Sequence, residues 1–359
     1  MATTFDISSS SVPLPTDQTT FPNISLYPIT TSILENNGYE FSEEAKMILT
    51  VVISIVAIFG LFGNTMVILI VLVFSDMHTL INFSFANLAL TDVTMLLLDA
   101  VPTATDTIGW NLSAKLGCNV PMYLQYIAAQ ATSLTLAFLS YDRYRLVVTP
   151  IQSYNTRSSK QMYMIMIIIW IASFVLQIPV ALVPAVSPET GCNEFGQPWG
   201  EGIFFTYETV ILYIIPLVVI IPCYTSIVST MLHISSATTS NEDSVRYKRS
   251  TVRVIIVVIF FIVMWLPIHV VHMWMAFDPD VTAQTSLYIE LHTAANVFMF
   301  LNSSVNPYLY AFGGSSNPFR KHLKDIVQSS CCGGMLMIRK KNGIECQPQN
   351  DTSNLDMKP

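Results

Sequence analysis

A helix needs about 20 apolar residues to cross a bilayer, and seven stretches of this chain meet that length. They fall at roughly 47–74, 81–104, 118–148, 161–184, 203–232, 251–277 and 286–312. In hydrocarbon every backbone N–H and C=O must be paired inside the protein, so runs of this length span as helices. The expected fold is an all-α membrane protein, a seven-transmembrane helix bundle. The fourth stretch, "QMYMIMIIIWIASFVLQIPVALVP", and the sixth, "TVRVIIVVIFFIVMWLPIHVVHMWM", are the plainest. The third, at about 30 residues, would be about 45 Å long and is expected to tilt. Composition agrees: 11% of the residues are charged, against about 25% in soluble domains. The two halves show no internal repeat, which weighs against an inverted-repeat transporter.

Lys and Arg set the expected orientation. With the amino end outside, only Lys46 and Lys115 of the 17 basic residues lie in outer segments. The first 46 residues are rich in Ser, Thr and Pro, with no basic start and no apolar core, so no cleavable signal peptide is expected. Residues 1–46 read as a disordered, glycosylated extracellular tail, with sequons at Asn23 and, in a short loop, Asn111. Residues 47–312 are the bundle, and 331–359 a cytoplasmic tail without expected structure. Between them, 313–330 reads as a short amphipathic eighth helix on the membrane surface. There Phe319, Leu323 and Ile326 share a face while Arg320, Lys321 and Lys324 reach the headgroups. Cys331 and Cys332 follow it as juxtamembrane palmitoylation sites, or else as idle thiols.

Polar groups inside the spans need a reason, because an ionisable residue at mid-bilayer costs about 2.5–3.5 kcal/mol on insertion scales. Asp92 lies mid-span in "FANLALTD", and the seventh stretch carries Asn302, Ser303, Asn306 and Tyr310. Thr132 and Ser133 sit at similar depth in the third. Oxygen atoms around a carboxylate suit a small hard cation such as Na⁺, and they serve equally as a hydrogen-bonded node between helices. Prolines at Pro102, Pro179, Pro216, Pro222, Pro267 and Pro307 each remove a backbone donor and are expected to kink their helices. In the sixth stretch Phe261, Trp265, His269 and His272 share one stripe, an aromatic core whose histidines turn it into a polar wall. Asp92, Asp99 and Asp106 recur every seven residues and are expected along one face, with Glu208 and Glu290 opening the fifth and seventh stretches. Such acids attract a basic ligand; the plainer alternative is a solvated rim.

These features occur together in a recognisable order. The chain has "GN" at Asn64, "NLALTD" ending in Asp92, "DRY" at Asp142, Arg143 and Tyr144, and Trp170 in the fourth span. It also has "WLP" ending in Pro267 and "NPYLY" with Asn306, Pro307 and Tyr310. Over about 47–330 it resembles the rhodopsin-like (class A) G-protein-coupled receptors. "NLALTDVTMLLLDAVPTATD" and "YLQYIAAQATSLTLAFLSYDRY" are similar to the peptide-receptor branch of galanin, allatostatin-A and kisspeptin receptors.

The resemblance implies a signalling receptor. Asp142 would restrain Arg143 at rest, and on activation the sixth span would swing out and free Arg143 for a heterotrimeric G protein. Tyr224 and Tyr310 would support that state, and Phe261, Trp265 and Pro267 would transmit it. Asp92, Thr132, Asn302, Ser303 and Asn306 would form an allosteric sodium site, with no other cofactor. Cys118 and Cys192 would pair as a disulfide. The ligand would be a peptide, carrying a basic group and an amidated carboxyl end, against Asp99, Gln125, Glu208, His269, His272 and Glu290. Arrestin, a receptor kinase and membrane lipid would be further partners, at the plasma membrane, and no nucleic acid. Departures are Tyr247 where the family has an acid, Met264 for a cysteine, Thr132 for a serine and Ser133 for an aliphatic residue.

Other functions fare worse. No lysine lies between Arg253 and Arg320 for a retinal Schiff base, and no carboxylate lies between Cys118 and Asp142 for an amine. An enzyme lacks any recognisable metal cluster, nucleophile triad or phosphate loop. A transporter or channel is the alternative, and would require flux of an ion or substrate.

Overall fold

A computed structural model describes residues 41–110, 112–117, 119–150, 159–182, 186–187, 191–192, 201–235, 242–278, 285–310, 318–331, 336–340 and 343–347. Among the described residues, seven long helices and an eighth shorter one follow in order, with short helical turns between some of them. Helix α1 is Glu43–Val73. Helix α2 joins Leu80–Met95, a π-turn at Leu96–Ala100, and Val101–Thr107. Helices α3 and α4 are Asn119–Val148 and Ser159–Leu176. Helix α5 joins Glu201–Thr209, a π-turn at Val210–Ile214, and Ile215–Ser235. Helices α6, α7 and α8 are Glu242–Phe277, Thr285–Tyr310 and Pro318–Cys331.

Local chemistry sets the ends. Ser42 Oγ accepts from the Ala45 N–H at the start of α1, with Glu43 and Glu44 in the first turn; a side-chain oxygen and acidic residues are what a helix amino terminus favours. Thr79 does the same for α2. The fourth stretch ends sooner than expected: α4 stops at Leu176 and a separate turn, Ile178–Ala181, begins with Pro179 near its start. Helix α6 begins at Glu242, nine residues before the apolar stretch, so much of the expected loop is helical.

Among the described residues, four helices are long and apolar enough to cross a membrane by length and composition: α1, α2, α5 and α6. Helix α4 has a shorter apolar run, Tyr163–Leu176. Helices α3 and α7 are long but carry polar residues such as Gln130, Thr132, Asn302 and Asn306, all buried within the bundle. Helix α3 packs on α2, α4, α5 and α6 and is the central element. Apolar side chains such as Ile58, Phe59, Ile167 and Val218 cover the outer surface, as a lipid-solvated bundle requires.

Three of the prolines have their orphaned carbonyls served by side chains of neighbouring helices. Each π-turn ends two residues before a proline, Pro102 in α2 and Pro216 in α5. The α-helix then resumes with proline in its first turn, where a missing N–H costs least. The carbonyl four residues before each proline is served by another helix. Gln125 Nε2 donates to Leu98 O, and Ser133 Oγ donates to Leu212 O at 2.8 Å. Pro307 in α7 follows the same rule: Asn64 Nδ2 donates to Ser303 O at 2.9 Å. Glycine allows that approach of α1 to α7, since a Cβ on Gly60 would lie 2.5 Å from Ser304 Oγ and 2.9 Å from its Cα.

Helix α8 lies against α1 and the short turn after it. Phe319 is buried and Leu323 and Ile326 pack on the core, while Arg320, Lys321 and Lys324 are exposed, as the amphipathic reading expects. His322 joins the buried face. It stacks on Phe74 at 3.9 Å and hydrogen-bonds Asp76 Oδ2 through Nε2 at 2.8 Å. That bond holds the Asp76 carboxyl below its ordinary range. Two short antiparallel hairpins add to the helices. One pairs Val186–Ser187 with Gly191–Cys192. The other pairs Leu336–Lys340 with Gly343–Gln347, so the tail expected without structure carries a hairpin.

Candidate functional site

At one end of α3, Asp142 and Arg143 are both buried, and Arg143 keeps 4% of its surface exposed. Arg143 donates from Nη2 at 2.5 Å and from Nε at 3.1 Å to the same oxygen, Asp142 Oδ2. Breaking a buried ion pair by removing one partner costs about 3–5 kcal/mol, because the other charge stays behind. Tyr144 is half-buried and stacks on Tyr141. The Tyr224 hydroxyl lies beside Ser140 and Arg143. Tyr247 and Tyr310 lie within α6 and α7, but their side chains fall outside the described residues.

Midway along the bundle two polar nodes differ. Asn87 donates to Thr135 Oγ1 at 2.8 Å and accepts from Trp170 Nε1 at 2.8 Å, tying α2, α3 and α4. Asp92 is buried and accepts from Asn306 Nδ2 at 3.0 Å. Thr132 donates to Thr91 at 2.8 Å. Both amide atoms of Asn302, and Oδ1 of Asn306, are buried without a hydrogen-bond partner among the described residues. In α6, Phe261 and Trp265 are buried with ring centroids 5.5 Å apart, just before Pro267. Tyr213 OH reaches across from α5 to the Ile262 carbonyl at 2.8 Å.

At the other end of the bundle a π-turn interrupts the helix that carries the expected acid row. The π-turn at Leu96–Ala100 inserts a residue, which turns everything beyond it by about 100° relative to a regular helix. Asp92 faces α7, Asp99 accepts from Thr103 at 3.4 Å, and Asp106 is buried. Asp106 accepts from the Leu112 and Ser113 N–H groups and the Ser113 hydroxyl, and so caps the short helix Leu112–Leu116. It is a structural acid.

Glu208 is 2% exposed, and its Oε2 accepts from Gln177 Nε2 at 3.2 Å. Gln125 is half-buried, with its amide nitrogen given to Leu98. His269 meets Thr209 Oγ1 through Nδ1 at 3.3 Å. His272 packs on Phe205 at 4.4 Å and on His292 at 5.6 Å. Glu290 is exposed near the start of α7. The structure thus joins Gln125 to α2, Glu208 to Gln177 just after α4, and His269 and His272 to α5. Gln130, Gln177 and His292 were missed; amide and imidazole groups inside apolar runs were the signal for them. Asn23, Asn111, Cys118 and Cys332 lie outside the described residues; Cys192 and Cys331 are described only by their backbone.

The arrangement is a helical membrane bundle with an ion pair at one end of its central helix and a polar cluster at the other. The sequence profile described as "7 transmembrane receptor (rhodopsin family)" matches residues 63–310. The chain is 31% identical to "G-protein coupled receptor 54" of Oreochromis niloticus over 308 residues, covering 80% of this chain and 81% of that protein. It is 31% identical to the human "KiSS-1 receptor" over 275 residues, covering 71% and 69%. "Neuropeptide Y receptor type 2" of Bos taurus is 29% identical over 289 residues, covering 76% and 74%. The chain belongs to the rhodopsin family of seven-transmembrane receptors and is a multi-pass membrane protein. The transporter or channel alternative finds no support among these relatives.

Proposed function

We propose that the chain is a neuropeptide receptor of the plasma membrane that drives nucleotide exchange on a heterotrimeric G protein. The observation that carries the reading is the buried Asp142–Arg143 pair, a fixed cation held in place by the acid beside it. Arg stays charged and offers several donors, so it is ready for a protein partner once α6 moves. With the amino end outside, this pair faces the cytosol and the polar cluster faces the ligand. A peptide with a basic group and an amidated end meets Asp99, Gln125, Glu208, His269, His272 and Glu290. Relatives named for kisspeptin, neuropeptide Y and somatostatin support a peptide.

Ligand and G protein favour the same state, so each tightens the other. Tyr144, Tyr224, Phe261, Trp265, Pro267, Asn306, Pro307 and Tyr310 belong to the transition. Asp92, Thr132, Asn302, Ser303 and Asn306 form the sodium site. The unpartnered oxygens of Asn302 and Asn306 beside a buried carboxylate fit a hard cation. The ion would add positive charge there and hold α2, α3 and α7 together. The disulfide Cys118–Cys192, glycans at Asn23 and Asn111 and palmitate at Cys331 and Cys332 complete the reading, with arrestin and a receptor kinase as further partners.

The test is a neuropeptide library on cells expressing the chain, read by calcium and cAMP, followed by Arg143→Ala. Exchange falls to background while binding of the active peptide remains. Full signalling by Arg143→Ala would refute the role given to this pair.

A further inference from the structure

The π-turn of α5, Val210–Ile214, is gripped from two sides. From α3, Gln130 Nε2 donates to the Ile211 carbonyl at 3.3 Å and Ser133 Oγ to the Leu212 carbonyl at 2.8 Å. Gln130 and Ser133 are fully buried, lie one helical turn apart, and serve consecutive carbonyls. Toward α6, Tyr213 OH donates to Ile262 O at 2.8 Å, and Thr209 meets His269 at 3.3 Å. Leu212 needs such a donor because Pro216, four residues on, has no N–H. An aliphatic side chain at position 133 would leave that carbonyl without it; a hydroxyl does not.

Gln130 is also the end of a chain. Its Oε1 accepts from Gln177 Nε2 at 3.3 Å, and the same nitrogen reaches Glu208 Oε2 at 3.2 Å. The path from Glu208 through Gln177 and Gln130 to the π-turn is made of buried side chains.

We propose that Ser133 and Gln130 are positioning residues for the receptor's change of state. They clamp the α5 π-turn to α3 in the arrangement where Arg143 is paired, and Gln177 and Glu208 connect the clamp to the ligand end. This rests on the receptor reading above. The clamp puts directional hydrogen bonds where the resemblance implied an aliphatic contact. Each bond belongs to the resting arrangement, so losing one favours departure from it. A cation taken up at Glu208 competes with Gln177 for the carboxylate, and so draws on the bond that holds Gln130.

Ser133→Val and Ser133→Thr test this, because their side chains are nearly the same shape and only threonine keeps the hydroxyl. The full chain is placed in lipid nanodiscs with purified G-protein heterotrimers of the Gi and Gq classes and no peptide. Ser133→Val raises basal nucleotide exchange about two- to tenfold, the effect of one lost hydrogen bond, and Ser133→Thr restores the starting rate. Spin labels at the exposed positions Tyr141 and Val228 give a second readout: the distance distribution broadens for Val and not for Thr. Gln130→Met, similar in volume, behaves like Ser133→Val and serves if that variant folds poorly. Equal rates and equal distributions for Val and Thr would overturn the clamp, as would a lower rate for Val. If Arg143→Ala silences exchange in the same discs while Val and Thr agree, the clamp alone fails. If Arg143→Ala leaves exchange intact, the receptor reading fails.

Discussion

The half of the bundle formed by α1 to α4 and the half formed by α5 to α7 treat buried polar groups differently. In the first, Asn87, Thr135 and Trp170 satisfy one another across three helices and Asp106 takes three donors from the turn it caps, while Thr50 Oγ1, Asn64 Oδ1 and Gln177 Oε1 have no hydrogen-bond partner among the described residues. In the second, Trp265 Nε1, His269 Nε2, His272 Nε2, both amide atoms of Asn302 and Asn306 Oδ1 have no hydrogen-bond partner among the described residues. Most buried polar groups in proteins are paired, so the contrast carries information. A polar network that ties three helices together loses those bonds if they move; a region richer in spare donors and acceptors loses less and can gain. The first half is built as a frame, and the second as the part that moves.

Leucine substitutions of similar size break or sharpen this comparison. Asn87→Leu strands Trp170 Nε1, and each buried group left unsatisfied costs about 1–3 kcal/mol. A large fall in thermal unfolding temperature in detergent is expected. Asn302→Leu removes atoms with no described partner, so in sodium-free buffer it leaves stability unchanged or raises it. If Asn302→Leu costs as much as Asn87→Leu, the two halves are not distinct.

The smallest expected effect lies at the margin of the frame, in the bond from His322 to Asp76. The Asp76 carboxyl is held below its ordinary value of 3.8 by that bond. A depressed carboxyl contributes its stability in full above the unfolded value and loses it as pH falls through the folded one. With Asp76 largely exposed, solvent screens the contribution. A fluorescent label on α8 should therefore show no Asp76-dependent release between pH 5 and 8, and release only below about pH 4. Asp76→Asn should remove that acid step. An acid step that survives Asp76→Asn would place it elsewhere.

Much of the frame was legible in the sequence. Hydrophobic runs marked the spans, caps such as Ser42 and Thr79 marked starts, and the i, i+4 spacing of α7 brought Asn306 to Asp92. The π-turns were not legible, because one inserted residue leaves no mark on a run already apolar on every side. That insertion offsets Asp99 and Asp106 from Asp92, although the three are evenly spaced in sequence. Sequence marks the prolines as sites of a lost backbone donor; the side chains that serve their orphaned carbonyls, Gln125, Ser133 and Asn64, depend on which helices become neighbours. Glu208 was expected at the mouth, and burial beside Gln177 gives it a second role. His322 was hidden by its basic neighbours, since a three-residue cationic face reads as solvent-exposed throughout.

The most direct test of a fixed frame with a moving half is the distance between α3 and α6 at the Arg143 end. Spin labels at Tyr141 and Val252, both exposed, report it by pulsed electron resonance in nanodiscs, with and without a nucleotide-free G-protein heterotrimer. The account predicts a longer distance in the complex, with α1 to α4 distances unchanged. An α3–α6 distance that stays the same in a complex shown to form would contradict it.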